Sequence, residues 1–348
     1  DGIRDPLWSR GLGDVYKRQV LVSISGEEVS STNSIGQAAI SEKEVSARDI
    51  ENALNMSSTM KIPSDKTLLY AMPNSYLIDG VGGISNPLGM NGIKLEAKSH
   101  LIHCSKNTKN NIKKCIKVSS SGIAIRKYFY SQLGVAHSVL TDYQKKQGVC
   151  VLDIGAGTTD ISVYQNGSIT FSKVLPYAGD YITETIGSAL DIQSSDAEAI
   201  KKKYGCAFSD NIDDEMLKIS LEDVNKAISR KALAELIEDS MSKILRNCLN
   251  SLEENNLLNY IPSGIVITGG SANMEGMVKL GQKLTNLNFK IGLPKYNLPQ
   301  KSDNLMKPEN SAILGMTKFY ALEQDKEFTF NQSKGIIARV LEWIRTEL

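Results

Sequence analysis

The residues best suited to chemistry lie in one stretch, VCVLDIGAGTTDISVY. Its first apolar run ends on Asp153, Gly155 and Gly157 form a turn, and the hydroxyls of Thr158 and Thr159 follow. Glycine leaves the backbone N–H groups of a turn open to an anion. The threonine hydroxyls can add donors, and Asp153 can hold the hydrated Mg²⁺ ion that accompanies a nucleotide phosphate. The stretch therefore predicts a phosphate-binding turn.

The pattern on either side of this turn predicts a strand, a turn and a second strand. Residues 149–152 are all apolar, and apolar and polar residues alternate over 161–164. Walker-type and dinucleotide-binding loops open into a helix instead, so the pattern argues against both. A plain β-hairpin whose glycines only serve the turn is the alternative, although such a turn would not need two acids and two threonines.

A second glycine turn follows the apolar run Ile265–Thr268. Gly269, Gly270 and Ser271 come directly after this run, and a helix is predicted from about Met274. A glycine turn between a strand and a helix places backbone amides and a helix N-terminus beside a nucleotide. Many α/β loops share this pattern, so its meaning depends on the first turn. We expect the two turns to face each other across one nucleotide cleft.

Composition is that of a folded protein. The chain has 348 residues, of which 41% are apolar and 23% charged, and its net charge is +1. This length predicts roughly two domains, and the balanced charge excludes an overall basic field for nucleic acid. No apolar run approaches the ~20 residues of a membrane span, and no signal-peptide pattern is present. Five scattered cysteines indicate reduced thiols of a cytoplasmic protein: Cys104, Cys115, Cys150, Cys206 and Cys248.

The N-terminal part is predicted as a leader followed by an α/β segment. Residues 1–19 show no periodicity and are interpreted as a non-native leader, with a natural disordered arm as the alternative. A strand is predicted at 20–24, followed by a helix that Ser41 and Glu44 would cap. A later strand is interrupted at Pro73, which predicts an edge strand or a bulge.

The remaining segments are predicted mostly as helices. Residues 106–148 form two helices with a short connection, and the longest helical pattern starts at Ser220. Glu198 and the lysines of 201–203 belong to a short helix and are predicted to be solvated. Gly315 lies in a late helix, where it would permit a close helix contact.

The two glycine elements together resemble those of the actin-like ATPase superfamily, in which they are the second phosphate loop and the adenosine loop. From about residue 20 onward the chain resembles the FtsA family of bacterial cell-division proteins. The stretches that carry this resemblance are SISGEEVSSTNSIGQAAISEKEVSARDIENAL, PNSYLIDGVGGISNPLGMNGIKLEA, SDAEAIKKKYGCA, SRKALAELIE and GIIARVLEWIRTEL. The resemblance implies an α/β, actin-like (ribonuclease-H-like) nucleotide-binding fold with an FtsA-type small domain and without the first phosphate-loop strands.

The resemblance also implies a division into subdomains. A small interaction domain covers 20–105, in which 20–24 is a strand of the first large subdomain, and 106–148 is a further part of that subdomain. A second nucleotide-binding subdomain comprises 149–190 and 263–320, and an FtsZ-docking lobe lies between these two parts at 191–262. A linker at 321–332 is followed by a membrane-targeting helix at 333–348. The family's first phosphate loop would precede Val20 and is not found in this sequence. We therefore expect weak or no ATP binding by this chain.

Site residues follow from the same resemblance. Those expected to bind ATP are Asp153, Gly155, Gly157, Thr158, Thr159, Gly179, Lys231, Glu235, Gly269, Gly270 and Ser271, and Asp153 would also hold Mg²⁺ through water. Ser131 and Gln132 lie near the position that orients the attacking water, where the superfamily often has Glu or Gln, so hydrolysis is expected to be weak or absent. Arg230 and Lys231 would help to dock FtsZ. Asp239 and Ser240 replace the family's frequent Pro-Arg, a departure at that docking surface.

The C-terminal segment SKGIIARVLEWIRTEL is amphipathic if helical. At about 100° per residue its apolar side chains fall within an arc of roughly 160°: Ile336, Ile337, Val340, Leu341, Trp343, Ile344 and Leu348. So short a helix needs a surface on which to form. Its own protein core is one such surface. The polar stretch before it, the tryptophan and the flanking basic residues favour a membrane interface.

The resulting hypothesis is a cell-division protein that binds ATP and tethers FtsZ to the inner face of the cell membrane at the division septum. Its partners would be the FtsZ C-terminal peptide, membrane lipid, further copies in a head-to-tail polymer, and downstream division proteins through residues 25–105. Nucleic acid is not expected. A pilus-assembly actin-like scaffold is one alternative, and a sugar kinase or polyphosphatase of the same superfamily is another.

Overall fold

The computed structural model describes residues 19–59, 62–119, 123–210, 212–220, 225–295 and 304–332. The predicted leader, apart from Gln19, and the predicted amphipathic helix at 333–348 lie outside the described residues. The strands are β1 (Gln19–Ile24), β2 (Ser30–Ala39), β3 (Lys66–Ile78), β4 (Val81–Ile84), β5 (Lys94–Ser105), β6 (Ala124–Tyr130), β7 (Val149–Ile154), β8 (Thr159–Gln165), β9 (Ser168–Leu175), β10 (Met216–Ser220), β11 (Asn225–Ser229), β12 (Ile265–Thr268) and β13 (Phe289–Ile291). The helices are α1 (Ala47–Ser58), α2 (Lys106–Ser119), α3 (Ser131–Val139), α4 (Asp142–Gln147), α5 (Gly179–Leu190), α6 (Ser194–Tyr204), α7 (Arg230–Glu254), α8 (Met277–Leu284) and α9 (Ser311–Gln332).

The predicted hairpin lies in a five-stranded sheet with the order β13-β12-β7-β8-β9. β7, β8 and β9 pair antiparallel, whereas β12 runs parallel to β7. Cys150 and Leu152 of β7 pack in a core with α5 and α7, and Val149 and Val151 pack in a second core with α3. Because both faces of β7 are buried, its residues are all apolar up to Asp153. The pattern of strand, turn and strand is confirmed.

A separate four-stranded sheet with the order β2-β5-β3-β4 carries α1. The predicted cap of this helix is wrong by five residues, since α1 begins at Ala47 and its capping box joins Ser46 and Asp49. Ser41 instead donates to the Asp49 side chain. Both serines precede an acid by three residues, the spacing of a capping box, so the sequence pattern alone does not distinguish the two pairs. The predicted interruption at Pro73 is a bulge in the pairing of β3 with β5.

A two-stranded parallel sheet joins β1 to β6. The prediction of a mere connection between two helices in 106–148 is wrong, because β6 lies between α2 and α3. The prediction of a helix from Ser220 onward is also wrong at its start, because β10 and β11 form an antiparallel hairpin before α7. Ile228 fits the helical spacing but lies in β11, and α7 begins only at Arg230.

Helices α3 and α9 touch through glycine, as predicted from Gly315. A Cβ atom at Gly315 would overlap the carbonyl oxygen of Gly134, and one at Gly134 would lie 2.9 Å from the Ala312 carbonyl. The polar stretch predicted as a linker at 321–332 is helical and continues α9. In the described part of the chain, no helix is long and apolar enough to cross a bilayer.

The four-stranded sheet docks on the outer strand of the five-stranded one. Ser31 donates to the Ser172 carbonyl over 2.7 Å. Buried His100 bridges the two sheets, with Nδ1 2.7 Å from Asn33 Oδ1 and Nε2 2.9 Å from Ser172 Oγ. Burial and nearby His103 lower the pKa of His100 to about 4. His100 is therefore neutral near pH 7 and acts as a hydrogen-bonding bridge.

Candidate functional site

The phosphate-binding turn predicted from the sequence is a tight loop between β7 and β8. The amide of Gly155 donates to the Thr158 carbonyl over 3.0 Å. Thr159 is fully buried and its hydroxyl donates to the Tyr177 carbonyl over 2.7 Å, so it stabilises the loop on its buried side. Gly157 and Thr158 are more accessible. Thr158 is therefore the better placed of the two threonines to meet a phosphate.

Two carboxyl groups face each other at the base of this turn. Asp153 and Asp160 are opposite one another in the antiparallel pair of β7 and β8. Burial, with the neighbouring Asp160, raises the pKa of Asp153 to about 7. Burial also raises the pKa of Asp160 to about 6, although hydrogen bonds from Ser25 and Thr158 act in the opposite direction. A cation bound beside the two acids would offset their mutual repulsion and favour their ionised forms.

This acid pair fits the Mg²⁺ ion that accompanies a nucleotide. Asp160 is only 4% exposed, and its Oδ1 atom has no hydrogen-bond partner in the described structure. The described residues contain no group of three or more His, Cys, Asp or Glu side chains that could enclose a metal ion. A Mg²⁺ ion would thus need water and phosphate oxygens as its other ligands, the usual arrangement for this ion.

Gly179 lies directly against the phosphate-binding turn. Its amide donates to the Gly155 carbonyl over 3.1 Å, and the Asp180 amide donates to the Ala156 carbonyl over 2.8 Å. A Cβ atom at Gly179 would lie 2.9 Å from Ser271 Oγ. The first turn of α5 therefore closes on the loop without room for a side chain.

The second glycine turn meets the first. Gly269 has a φ of +87°, and a Cβ atom there would lie 2.6 Å from the Ile154 carbonyl oxygen and would overlap Asp153 Oδ1. The Ser271 hydroxyl donates to the Gly155 carbonyl over 3.1 Å. Gly270 faces open space. The two turns that the sequence singles out are thus in direct contact around Asp153, with Gly270 accessible beside them.

The helix predicted after this turn begins later than expected. A 3₁₀ turn covers Gly270–Asn273, and α8 starts at Met277 after Gly276, whose φ is +82°. The N-terminus of α8 is therefore not adjacent to the glycine turn. The 3₁₀ turn, with its backbone amides, lies next to the glycine turn instead.

Lys201, which the sequence predicts to be solvated, lies at this site. Its side chain is 10% exposed, its Nζ atom donates to the Gly179 carbonyl over 2.9 Å and to Thr183 Oγ1 over 2.7 Å, and it pairs with Glu198. Burial opposes ionisation of Glu198, but hydrogen bonds from Lys201, Thr183 and Lys202 prevail and lower its pKa to about 2. The i,i+3 spacing of Glu198 and Lys201 was the available signal, yet three successive lysines resemble a solvated face.

Lys231 and Glu235 lie on the exposed face of α7. Glu235 lines an open cavity of about 330 Å³, whose other lining residues are Ser209, Glu238, Asp239, Ser242, Lys243 and Arg246. The predicted docking residue Arg230 pairs with Glu215 over 2.7 Å. No described hydrogen bond or ion pair links Lys231 or Glu235 to the glycine turns, which leaves their role in ATP binding a prediction.

Ser131 and Gln132 stand behind the hairpin, at the start of α3. Gln132 is fully buried, and its Nε2 atom donates to the Asp160 carbonyl over 2.7 Å. Its Oε1 atom accepts from Ser162 over 3.4 Å. The side-chain amide of Gln132 therefore supports the hairpin backbone in this structure, and Ser131 is also buried.

Comparison with solved structures shows which fold this is. A chain of the PilM-PilN type IV pilus biogenesis complex matches with a TM-score of 0.59 and 15% identity over 86% of this chain and 78% of that one. MreB5 of Spiroplasma citri bound to AMPPNP matches with a TM-score of 0.52 and 22% identity over 65% of this chain and 68% of that one. The fold is that of the actin-like ATPases.

Comparison of sequences defines the family. The model of the cell-division protein FtsA matches residues 150–315, and the model of the SHS2 domain inserted in FtsA matches residues 26–103. FtsA of Pseudomonas aeruginosa is 36% identical over 309 residues, covering 88% of this chain and 73% of the relative. FtsA of Escherichia coli K12 is 32% identical over 345 residues, covering 96% and 81%. The chain belongs to the FtsA family of cell-division proteins.

Proposed function

We propose that this protein is an ATP-binding scaffold that tethers FtsZ to the inner face of the cell membrane at the division septum and forms head-to-tail polymers. The observation that supports the proposal best is the contact of Ser271 with Gly155, which joins the two predicted nucleotide turns at one acid, Asp153. Proteins that share the fold, such as Spiroplasma citri MreB5, have been solved with AMPPNP and with ADP.

In the proposed nucleotide site the two glycine turns would contact different parts of ATP. Amides and hydroxyls around Gly155, Gly157 and Thr158 would hold the phosphates, and Asp153 would hold Mg²⁺ through water. Gly269 and Gly270 would cover the adenosine, with Ser271 fixing their distance from the phosphate turn. Because both turns would contact one nucleotide, binding would stiffen the cleft and favour a polymer-competent form. With the Gln132 amide bonded to backbone, turnover would be slow.

The proposed membrane contact is the amphipathic pattern at 333–348. One such helix binds a bilayer weakly and reversibly. A polymer would present many copies at once, so avidity would strengthen attachment without any new contact. The helical continuation of α9 to Gln332 supplies a direct lead into this segment.

The deciding experiment is a pulldown of this chain with a peptide of the FtsZ C-terminus, compared with the Arg230→Glu variant. Arg246→Glu, on the same helix, is the matched control for an added negative charge. Capture of the wild-type chain and the control, with loss in Arg230→Glu, supports FtsZ docking at the start of α7. Failure of the wild-type chain to bind the peptide contradicts it.

Flotation with vesicles separates the scaffold from the enzyme alternatives. The full chain is expected to float and a chain lacking 333–348 to remain behind. A sugar kinase or polyphosphatase would need neither membrane nor FtsZ, and a pilus scaffold would bind a membrane-protein peptide instead of the FtsZ tail. Equal flotation of the two chains would remove the C-terminal segment as the anchor.

A further inference from the structure

Helix α2 carries a one-sided positive charge that the proposed nucleotide and FtsZ sites do not use. Its sequence KNTKNNIKKCIKVS contains five lysines and no acidic residue. At about 100° per residue the lysine side chains fall within an arc of roughly 140°: Lys106, Lys109, Lys113, Lys114 and Lys117. This helix face therefore concentrates positive charge on a protein whose net charge is only +1.

Three of these lysines have no protein partner among the described residues. Lys106 donates to the Ser64 carbonyl over 2.7 Å, and the Lys109 ammonium lies 5.1 Å from the centre of the Tyr128 ring. Lys113, Lys114 and Lys117 are exposed and take part in none of the described ion pairs. Unpaired like charges on one face repel each other, and an anionic surface would relieve that repulsion.

An exposed apolar side chain accompanies this charge. Val118 is 88% exposed and follows Lys117 at the C-terminal end of α2. Ile112 and Ile116, which fall outside the lysine arc, are only partly exposed. Basic side chains beside an accessible apolar one are typical of helices that lie against a lipid headgroup layer.

The position of α2 relates it to the C-terminal end of the described chain. Tyr128 of β6 reaches α2, where its hydroxyl lies 3.5 Å from the Lys109 carbonyl. Two residues earlier on the same strand, Arg126 donates to the Tyr320 hydroxyl of α9 over 3.4 Å. Both helices therefore contact one short strand. From Tyr320, α9 continues for about 18 Å to Gln332, where the amphipathic segment would start.

We infer that α2 is a second membrane-contact surface, in which Lys113, Lys114 and Lys117 bind the headgroups of anionic lipids. This inference rests on the proposed function, since it requires the molecule to lie at a membrane. The amphipathic segment would supply apolar insertion, and α2 would supply attraction to negative charge and fix which side of the molecule faces the bilayer. Each lysine near an anionic surface strengthens binding by about fivefold at low salt, and added salt weakens this contribution.

The test compares the full chain with the triple variant Lys113→Glu, Lys114→Glu and Lys117→Glu. Flotation is measured with vesicles of phosphatidylcholine alone and with vesicles that also contain phosphatidylglycerol, at low and at high salt. The matched control reverses three exposed lysines on other helices, at Lys146 of α4, Lys203 of α6 and Lys279 of α8, and so changes net charge equally. Circular dichroism and thermal melting show that each variant is folded.

The inference expects wild type and control to prefer the anionic vesicles, and this preference to fall at least about tenfold in the α2 variant while binding to neutral vesicles stays the same. Equal preference in the α2 variant and the control would overturn it. If the wild-type chain binds anionic and neutral vesicles alike while the α2 variant loses capture of a protein partner, the surface serves that protein and the lipid inference is wrong. If the wild-type chain binds neither vesicle, the proposed membrane tether itself fails.

Discussion

Ser25 donates a 2.7 Å hydrogen bond to Asp160 Oδ2, linking the residue after β1 to the acid behind the phosphate-binding turn. The bond spans 135 positions of the chain and ties the entrance of the four-stranded sheet to the hairpin. It stabilises an acid whose pKa burial raises to about 6. The ionised carboxylate benefits most, because a hydroxyl donor favours the charged form.

Replacement of Ser25 by alanine is therefore expected to destabilise the fold in a pH-dependent way. At pH 8 Asp160 is ionised and would lose its donor, which costs about 1 kcal/mol. The hydrogen bond contributes above the folded pKa of about 6, so the difference from wild type should shrink as pH falls through that value. Urea unfolding at pH 8 and pH 5 measures it, with Ser25→Thr as the variant that keeps the hydroxyl. An equal loss at both pH values would show that Asp160 is not the partner that matters.

Lys201 and Lys202 offer a matched pair in which only one lysine is buried. Lys201→Met would leave the Gly179 carbonyl without this donor and Glu198 with only the exposed Lys202 as a partner, and we expect a loss of about 2 kcal/mol in the free energy of unfolding. Lys202 is 73% exposed although it also pairs with Glu198, so Lys202→Met should cost less than about 0.5 kcal/mol. Chemical denaturation at pH 7 gives both values. Similar losses would mean that the contact with Gly179 contributes little.

The central part of the fold could be predicted because its signals are local. The apolar run before Asp153 and the run before Gly269 are each followed at once by a glycine turn, and both form strands as predicted. Gly315 likewise predicts its helix contact, since a helical glycine beside apolar residues has few other uses. Features that depend only on neighbouring residues are legible in one sequence.

The missed features depend on residues far away in the chain. Strand β6 has Arg126 and Lys127 within it, and its pairing with β1 lies about a hundred positions back. Ile228 matches the helical spacing of α7, yet its strand pairs with β10. Lys201 differs from its two lysine neighbours only in facing Gly179. Tertiary contact selects among equivalent local patterns, and a single sequence does not display that selection.

The contact of α3 with α9 predicts a severe effect of one methyl group. Gly315→Ala would place a Cβ atom on the Gly134 carbonyl oxygen. The atoms nearest to this Cβ all belong to the backbone of Gly134 in α3, so they can move aside only if the helix is displaced. We expect a loss of at least about 2 kcal/mol, as in other overpacked sites. Ile313→Ala on the same helix removes a larger group, but that side chain is 57% exposed, so its effect should stay within about 0.5 kcal/mol. Thermal unfolding of the two variants would contradict the contact if their order were reversed.

Gly269 and Gly270 allow the fold and the proposed nucleotide site to be tested separately. Gly269→Ala is expected to lose about 2 kcal/mol or more, because alanine is strained at a φ of +87° and its Cβ would crowd the Ile154 carbonyl. A methyl group on Gly270 would meet no atom within 4 Å, so Gly270→Ala should keep stability within about 0.5 kcal/mol of wild type. That methyl group would instead project beside Ser271 into the space assigned to adenosine. Because ATP binding by this chain is expected to be weak, a fluorescent ATP analogue is titrated until the wild-type chain is saturated, and the variant should bind about fivefold or more weakly than wild type. If a stable Gly270→Ala protein bound the ATP analogue as tightly as wild type does, this turn would not be part of the nucleotide site. That conclusion does not depend on the effect of Gly269→Ala on the fold.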